Sequence, residues 1–132
     1  MTTWKSVLAV AALLAATRLA GTAFAGADDY TFEPINAQIK SSNVATVAVR
    51  LVHKPSGKPM SAAAIVQTRI DMAPDGMASM AAAIVPVPNS EPGVYAFKAP
   101  LTMTGRWLLT ISAKVQDEPE TINGKVIFTV ER

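Results

Sequence analysis

The strongest constraint on this chain is the period of two that runs through residues 106–115. Trp107, Leu109, Ile111, Ala113 and Val115 fall on one face, while Arg106, Thr110, Ser112 and Lys114 make the other mostly polar. Successive side chains alternate sides only in an extended strand, so the segment reads as a half-buried β-strand. Residues 43–54 repeat the pattern, with Val47, Val49 and Leu51 on one side and Thr46, Ala48 and Arg50 on the other. Further strands are predicted at residues 30–33, stopped by Pro34, and at 63–71, 94–98 and 125–130. Tyr95 and Phe97 share a face of the 94–98 strand.

Turn chemistry punctuates these segments. Pro55-Ser56-Gly57-Lys58-Pro59, Ala73-Pro74-Asp75-Gly76, residues 86–93 and the charged stretch 116–120 all carry residues that reverse or break a chain. Residues 77–85 read differently. Their alanines and methionines favour helix, but Pro74, Gly76 and Pro86 bracket them too closely for a stable one. The expectation there is a loop that enters a strand near 81–85. In all, about seven strands spaced by about ten to fifteen residues, with no helix after the first segment, predict an all-β domain of two packed antiparallel sheets. Trp107 is the expected core anchor, and its truncation should cost roughly 3–5 kcal/mol.

Residues 1–25 follow a different logic. Lys5 precedes an apolar run from Val7 to Ala16, and Ala23-Phe24-Ala25 closes the segment with small residues at the −3 and −1 positions. That order is a secretory signal peptide with a cleavable A-x-A site. Arg18 interrupts the run short of the roughly 20 apolar residues that span a bilayer, so no stable membrane span is expected after cleavage. One domain, residues 26–132, is then expected in the periplasm. The chain carries 12 Lys plus Arg against 10 Asp plus Glu; without Lys5 and Arg18 the charges balance. Such a balance gives no reason to expect nucleic acid as a partner. Cysteine is absent and His53 is the one histidine, which excludes disulfides, thiolate metal sites and multi-histidine centres.

Methionine is the soft donor left in number. Met72, Met77 and Met80 lie within nine residues around a Pro/Gly turn, and Met103 sits in a turn of its own. Thioethers hold Cu(I) without losing a proton, so Met72, Met77 and Met80 are candidate ligands, with Met103 as a fourth and His53 as a weaker imidazole donor. Asp75 is a minor hard donor beside them. The alternative assigns Met72 and Met80 to the core as flexible filler, leaves Met77 exposed, and packs Met103 under the hairpin between Tyr95 and Trp107. Met60 is expected to pack, and His53 then has no ligand role. No nucleophile stands on a G-x-S-x-G elbow, and the glycines match neither a P-loop nor a dinucleotide fingerprint. The expectation is a protein that is not an enzyme.

Gly57-Lys58-Pro59, the Met72…Met77…Met80 segment, Pro92-Gly93-Val94-Tyr95 and Leu101-Thr102-Met103-Thr104-Gly105-Arg106-Trp107, in that order, resemble the YtkA-like and FixH-like family of small exported domains. The resemblance spans residues 47–115. It implies an immunoglobulin-like sandwich outside the cytoplasmic membrane, associated with copper handling, heavy-metal efflux or cytochrome oxidase maturation. The family's methionine-rich loop maps onto Met72, Met77 and Met80, and its second methionine onto Met103. The cleavable leader matches the soluble YtkA-like branch. Two functions follow: a Cu(I)-binding accessory protein that passes the ion to an efflux or oxidase-assembly partner, or a metal-free module that docks onto an envelope protein.

Overall fold

The computed structural model describes residues 27–132, so the expected signal peptide at 1–25 lies outside the described residues. Among the described residues there are ten strands: β1 (Tyr30–Pro34), β2 (Gln38–Lys40), β3 (Ser42–His53), β4 (Lys58–Pro59), β5 (Ala64–Met72), β6 (Met77–Ala82), β7 (Val85–Val87), β8 (Val94–Leu101), β9 (Gly105–Lys114) and β10 (Ile122–Glu131). They form two five-stranded sheets. One runs β1-β3-β8-β7, with β4 added beside β3; the other runs β2-β10-β9-β5-β6.

The alternating segments supply the core. Val47, Val49 and Leu51 of β3 face Leu109, Ile111 and Ala113 of β9 across one apolar interior that also holds Phe97, Leu101 and Phe128. Trp107 is buried among them, as its position in the pattern requires. Its indole N–H donates to the Met103 carbonyl at 3.0 Å, so the one polar atom of the ring is satisfied.

Three departures from the sequence expectation have clear causes. Ten strands replace about seven because β2, β4 and β7 are two or three residues long, too short to show a period. The sheets are also not wholly antiparallel: after Pro34 the chain leaves the first sheet and returns as β2, parallel to the end of β10. Finally, β6 begins at Met77 rather than near 81. Ala73–Asp75 close a single 3-10 turn, Gly76 caps it at φ +78°, and the chain reverses at once so that Met77 lies opposite Met72. Ala81 pairs with Asp71, which leaves residues 78–80 bulging between the two registered pairs.

Candidate functional site

Three segments converge at one end of the sandwich, and the first residues of β9 hold them together. Asp71 starts the arrangement. Buried at 5% exposure, it accepts the Ala73 N–H at 2.9 Å through one oxygen and the Arg69 Nε–H at 2.8 Å through the other. This fixes the entrance to the 3-10 turn, and Arg69 also donates to the Ala78 carbonyl at 2.9 Å, tying down the bulge of β6.

Asp75, on the far side of the turn, faces β9. One of its oxygens accepts the Arg106 backbone N–H and the other accepts Arg106 Nε–H, both at 2.8 Å. Arg106 Nη2 adds a bond to the Pro74 carbonyl at 2.7 Å. The backbone N–H of Arg106, then its side chain, hold the Asp75 carboxyl below the usual carboxylate range. Asp75 is therefore a strut of the loop, with its oxygens committed to Arg106, rather than a donor awaiting a cation.

Gly105 makes the close approach possible. Its φ of +135° suits a residue without Cβ. A Cβ there would stand 2.5 Å from Asp75 Oδ2 and 2.7 Å from the Met72 methyl carbon. Trp107, two residues on, anchors the Met103 carbonyl from below. Gly105, Arg106 and Trp107 thus pin two methionine-bearing turns to one strand, which is the physical content of the Met103-Thr104-Gly105-Arg106-Trp107 motif.

The five candidate ligands separate in this frame. Met77, Met80 and Met103 stand at this end with 37%, 40% and 40% of their surface exposed. Met72 belongs to the core: it has no exposed surface, and its methyl packs on Gly105. Its inward placement agrees with the packing alternative, whereas the exposure of Met80 and Met103 does not. His53 is at the other end. It closes β3, whose first residue Ser42 pairs with Leu101 next to the Met103 turn, so roughly 35 Å of strand separates them. There its Nδ1 lies 2.8 Å from Ser56 Oγ and its ring packs against Tyr30 with centroids 5.1 Å apart. His53 and the methionines do not share a site. Met60 packs against the core as expected, and its carbonyl accepts the Tyr95 hydroxyl at 2.6 Å.

Among the described residues no group of three or more His, Cys, Asp or Glu is placed to hold an ion. No helix among them is long and apolar enough to cross a membrane. The roles of Asp71 and Arg106 are not legible in the sequence. The one available signal was the pairing of Asp71 and Asp75 around a Pro, a spacing that favours side-chain-to-backbone bonds in turns.

Among solved structures, the chain is similar to the Lin-41 filamin domain, at 17% identity and a TM-score of 0.46, over 83% of this chain and 96% of that one. It is also similar to the ZirS C-terminal domain, at 10% identity and a TM-score of 0.42, over 98% of this chain and 84% of that one. Comparison with curated proteins finds no match. The profile of the YtkA-like family matches residues 24–112, which take in every strand from β1 to β8 and most of β9; the chain belongs to the YtkA-like family.

Proposed function

We propose that this YtkA-like domain is a non-enzymatic interaction module of the periplasm, which docks onto an envelope protein through its methionine-bearing end. One observation carries the reading: Met77 and Met80, on β6 just after the turn clamped to β9 by Arg106, and Met103, in the turn clamped by Trp107, are half-exposed. Thioether side chains adapt to irregular partners, and a rigid backbone beneath them lowers the entropy lost on docking. A photo-crosslinking amino acid placed at position 77, 80 or 103 in cells is expected to give one discrete adduct. The same group at Lys114 or Lys125, both exposed on β9 and β10, should give none. Absence of an adduct from all three methionine positions, or equal yield at the lysines, would refute the proposal.

The second reading is a Cu(I)-binding accessory protein for copper tolerance, efflux or oxidase metallation, and the same three exposed thioethers favour it. Met77, Met80 and Met103 are the donors in this version; Met72 supports them from the core and His53 is too remote. Anaerobic Cu(I) titration separates the two readings. Stoichiometric binding that disappears when Met77, Met80 and Met103 are replaced by leucine would favour copper, because leucine keeps the apolar volume and deletes the sulfur.

A further inference from the structure

A second surface lies along the flank of the sandwich, away from the methionines. On one side β5 pairs with β9 from Ala64 to Asp71. On the other side β6 reaches only Ile70, Asp71 and Met72. Among the described residues, positions 64–69 therefore have no strand on their outer side. Beyond Ala82 the chain crosses to the opposite sheet and becomes β7, paired with Ala96, Phe97 and Lys98 of β8. The space between the bare edge of β5 and β7 is an open groove. Two adjoining cavities of about 300 Å³ and about 220 Å³ share Ile65, Pro86 and Phe97 as lining. Val66 stands on its rim with 55% of its surface exposed. The Tyr95 hydroxyl steadies the lower wall, bonded to the Met60 carbonyl and the Ala63 N–H.

Edges of this kind are ordinarily blunted by outward charges or prolines. The β7 edge carries Pro86. Along 64–69 the one charged residue is Arg69, and its guanidinium is drawn away onto Asp71 and the Ala78 carbonyl. A bulge between Ile65 and Gln67 is the remaining irregularity, and it is what lifts Val66 to the rim.

The chemistry selects the occupant. Alternate residues of a strand turn their peptide groups outward, so this edge offers about three N–H and three C=O groups in series. Only another extended backbone matches that series. A second copy pairing edge to edge would meet this one along about 20 Å of strand and about 10 Å of sheet depth. The total buried area is then on the order of 400 Å², well below the roughly 1,200 Å² of a stable interface. A separate extended segment avoids that limit, because its side chains bury themselves against both walls of the groove.

The geometry points to strand addition: the open edge of β5 takes up an extended segment of another protein, apolar at alternate positions, with those side chains lying on Ile65 and Pro86 above the buried Phe97. The inference rests on the reading of the domain as an interaction module. Its test is selection of binders from a phage-displayed library of random peptides against the full protein, followed by NMR mapping of the selected peptides. Enriched sequences should alternate apolar and polar residues and shift the amides of 64–69. Backbone N-methylation at alternate peptide positions should weaken binding at least tenfold, as should Val66→Lys, an exposed substitution whose folding is checked by the unchanged remainder of the spectrum. Failure to enrich binders, shifts confined to another surface, or indifference to Val66→Lys would overturn the inference. So would concentration-dependent shifts at 64–69 in the protein alone, which would assign the edge to a second copy. If strand addition fails while crosslinks persist at positions 77, 80 and 103, the docking module stands without it.

Discussion

Gly105→Ala tests the core of the site, since the structure predicts two separate penalties for one methyl group. The first is in the backbone. At φ +135° an L-residue is strained by about 1–3 kcal/mol. The second is steric, because the new carbon would stand 2.7 Å from the methyl of Met72, a side chain with no exposed surface and so no free space to retreat into. Overpacking of this kind costs about 1–3 kcal/mol. Together they predict a loss of about 4 kcal/mol, a large share of the stability of a small domain. Gly57→Ala isolates the backbone part: φ is +71° and nothing lies within 4 Å of the added carbon, so about 1–2 kcal/mol is expected. Urea unfolding followed by far-ultraviolet circular dichroism reads both. With a slope of about 1.5 kcal/mol per molar, the midpoint falls by about 2–3 M for Gly105→Ala and by about 1 M for Gly57→Ala. Equal shifts in the two variants would refute the claim that Gly105 exists to admit Met72 and Asp75.

Two further outcomes follow from the same geometry. Met72→Ala should cost about 2–5 kcal/mol and Met72→Leu under about 1.5, whereas Met77→Ala, Met80→Ala and Met103→Ala should each stay within about 0.5. Thermal melts that rank an exposed methionine above Met72 would contradict the burial pattern. Asp75→Asn should destabilise the protein at neutral pH. Since the folded carboxyl titrates below its unfolded value, its contribution is complete above the unfolded value and is lost as pH falls through the depressed folded one. The gap between parent and variant in urea midpoints should therefore close on acidification through that window, and a gap independent of pH would count against the Arg106 strut.

Where the sequence carries a sustained period, the architecture was legible. The faces of β3 and β9 are those expected from Val47, Val49, Leu51, Trp107, Leu109 and Ile111, because burying one side of a pleated strand leaves no other choice. The site was legible only as a clustering of methionines. Whether Met80 turns inward depends on the number of residues that Ala73-Pro74-Asp75-Gly76 spends in reversing the chain, and that count shifts every side chain after it. Here the turn is a single 3-10 turn and β6 then bulges, so the alanine-rich residues 78–82, with no period of their own, offered nothing to read. His53 is a different lesson. The strand predicted over 43–54 implies that its two ends lie far apart, whereas donor chemistry carries no distance and so cannot separate His53 from the methionines. The clamp by Arg106 was hidden because a charged residue at the start of a strand has an ordinary explanation in solvent exposure.

The crossing from β1 to β2 has a consequence for durability. The stretch from Tyr30 to Lys40 is a clip over one flank, giving an outer strand to each sheet: β1 to β3, and β2 to β10. A protease that trimmed it would bare two hydrogen-bonding borders at once, one on each layer, and uncover Phe32's seat in the interior. Fragments that start beyond Lys40 should therefore self-associate as fibrous or insoluble material, even though most of the apolar interior survives the cut.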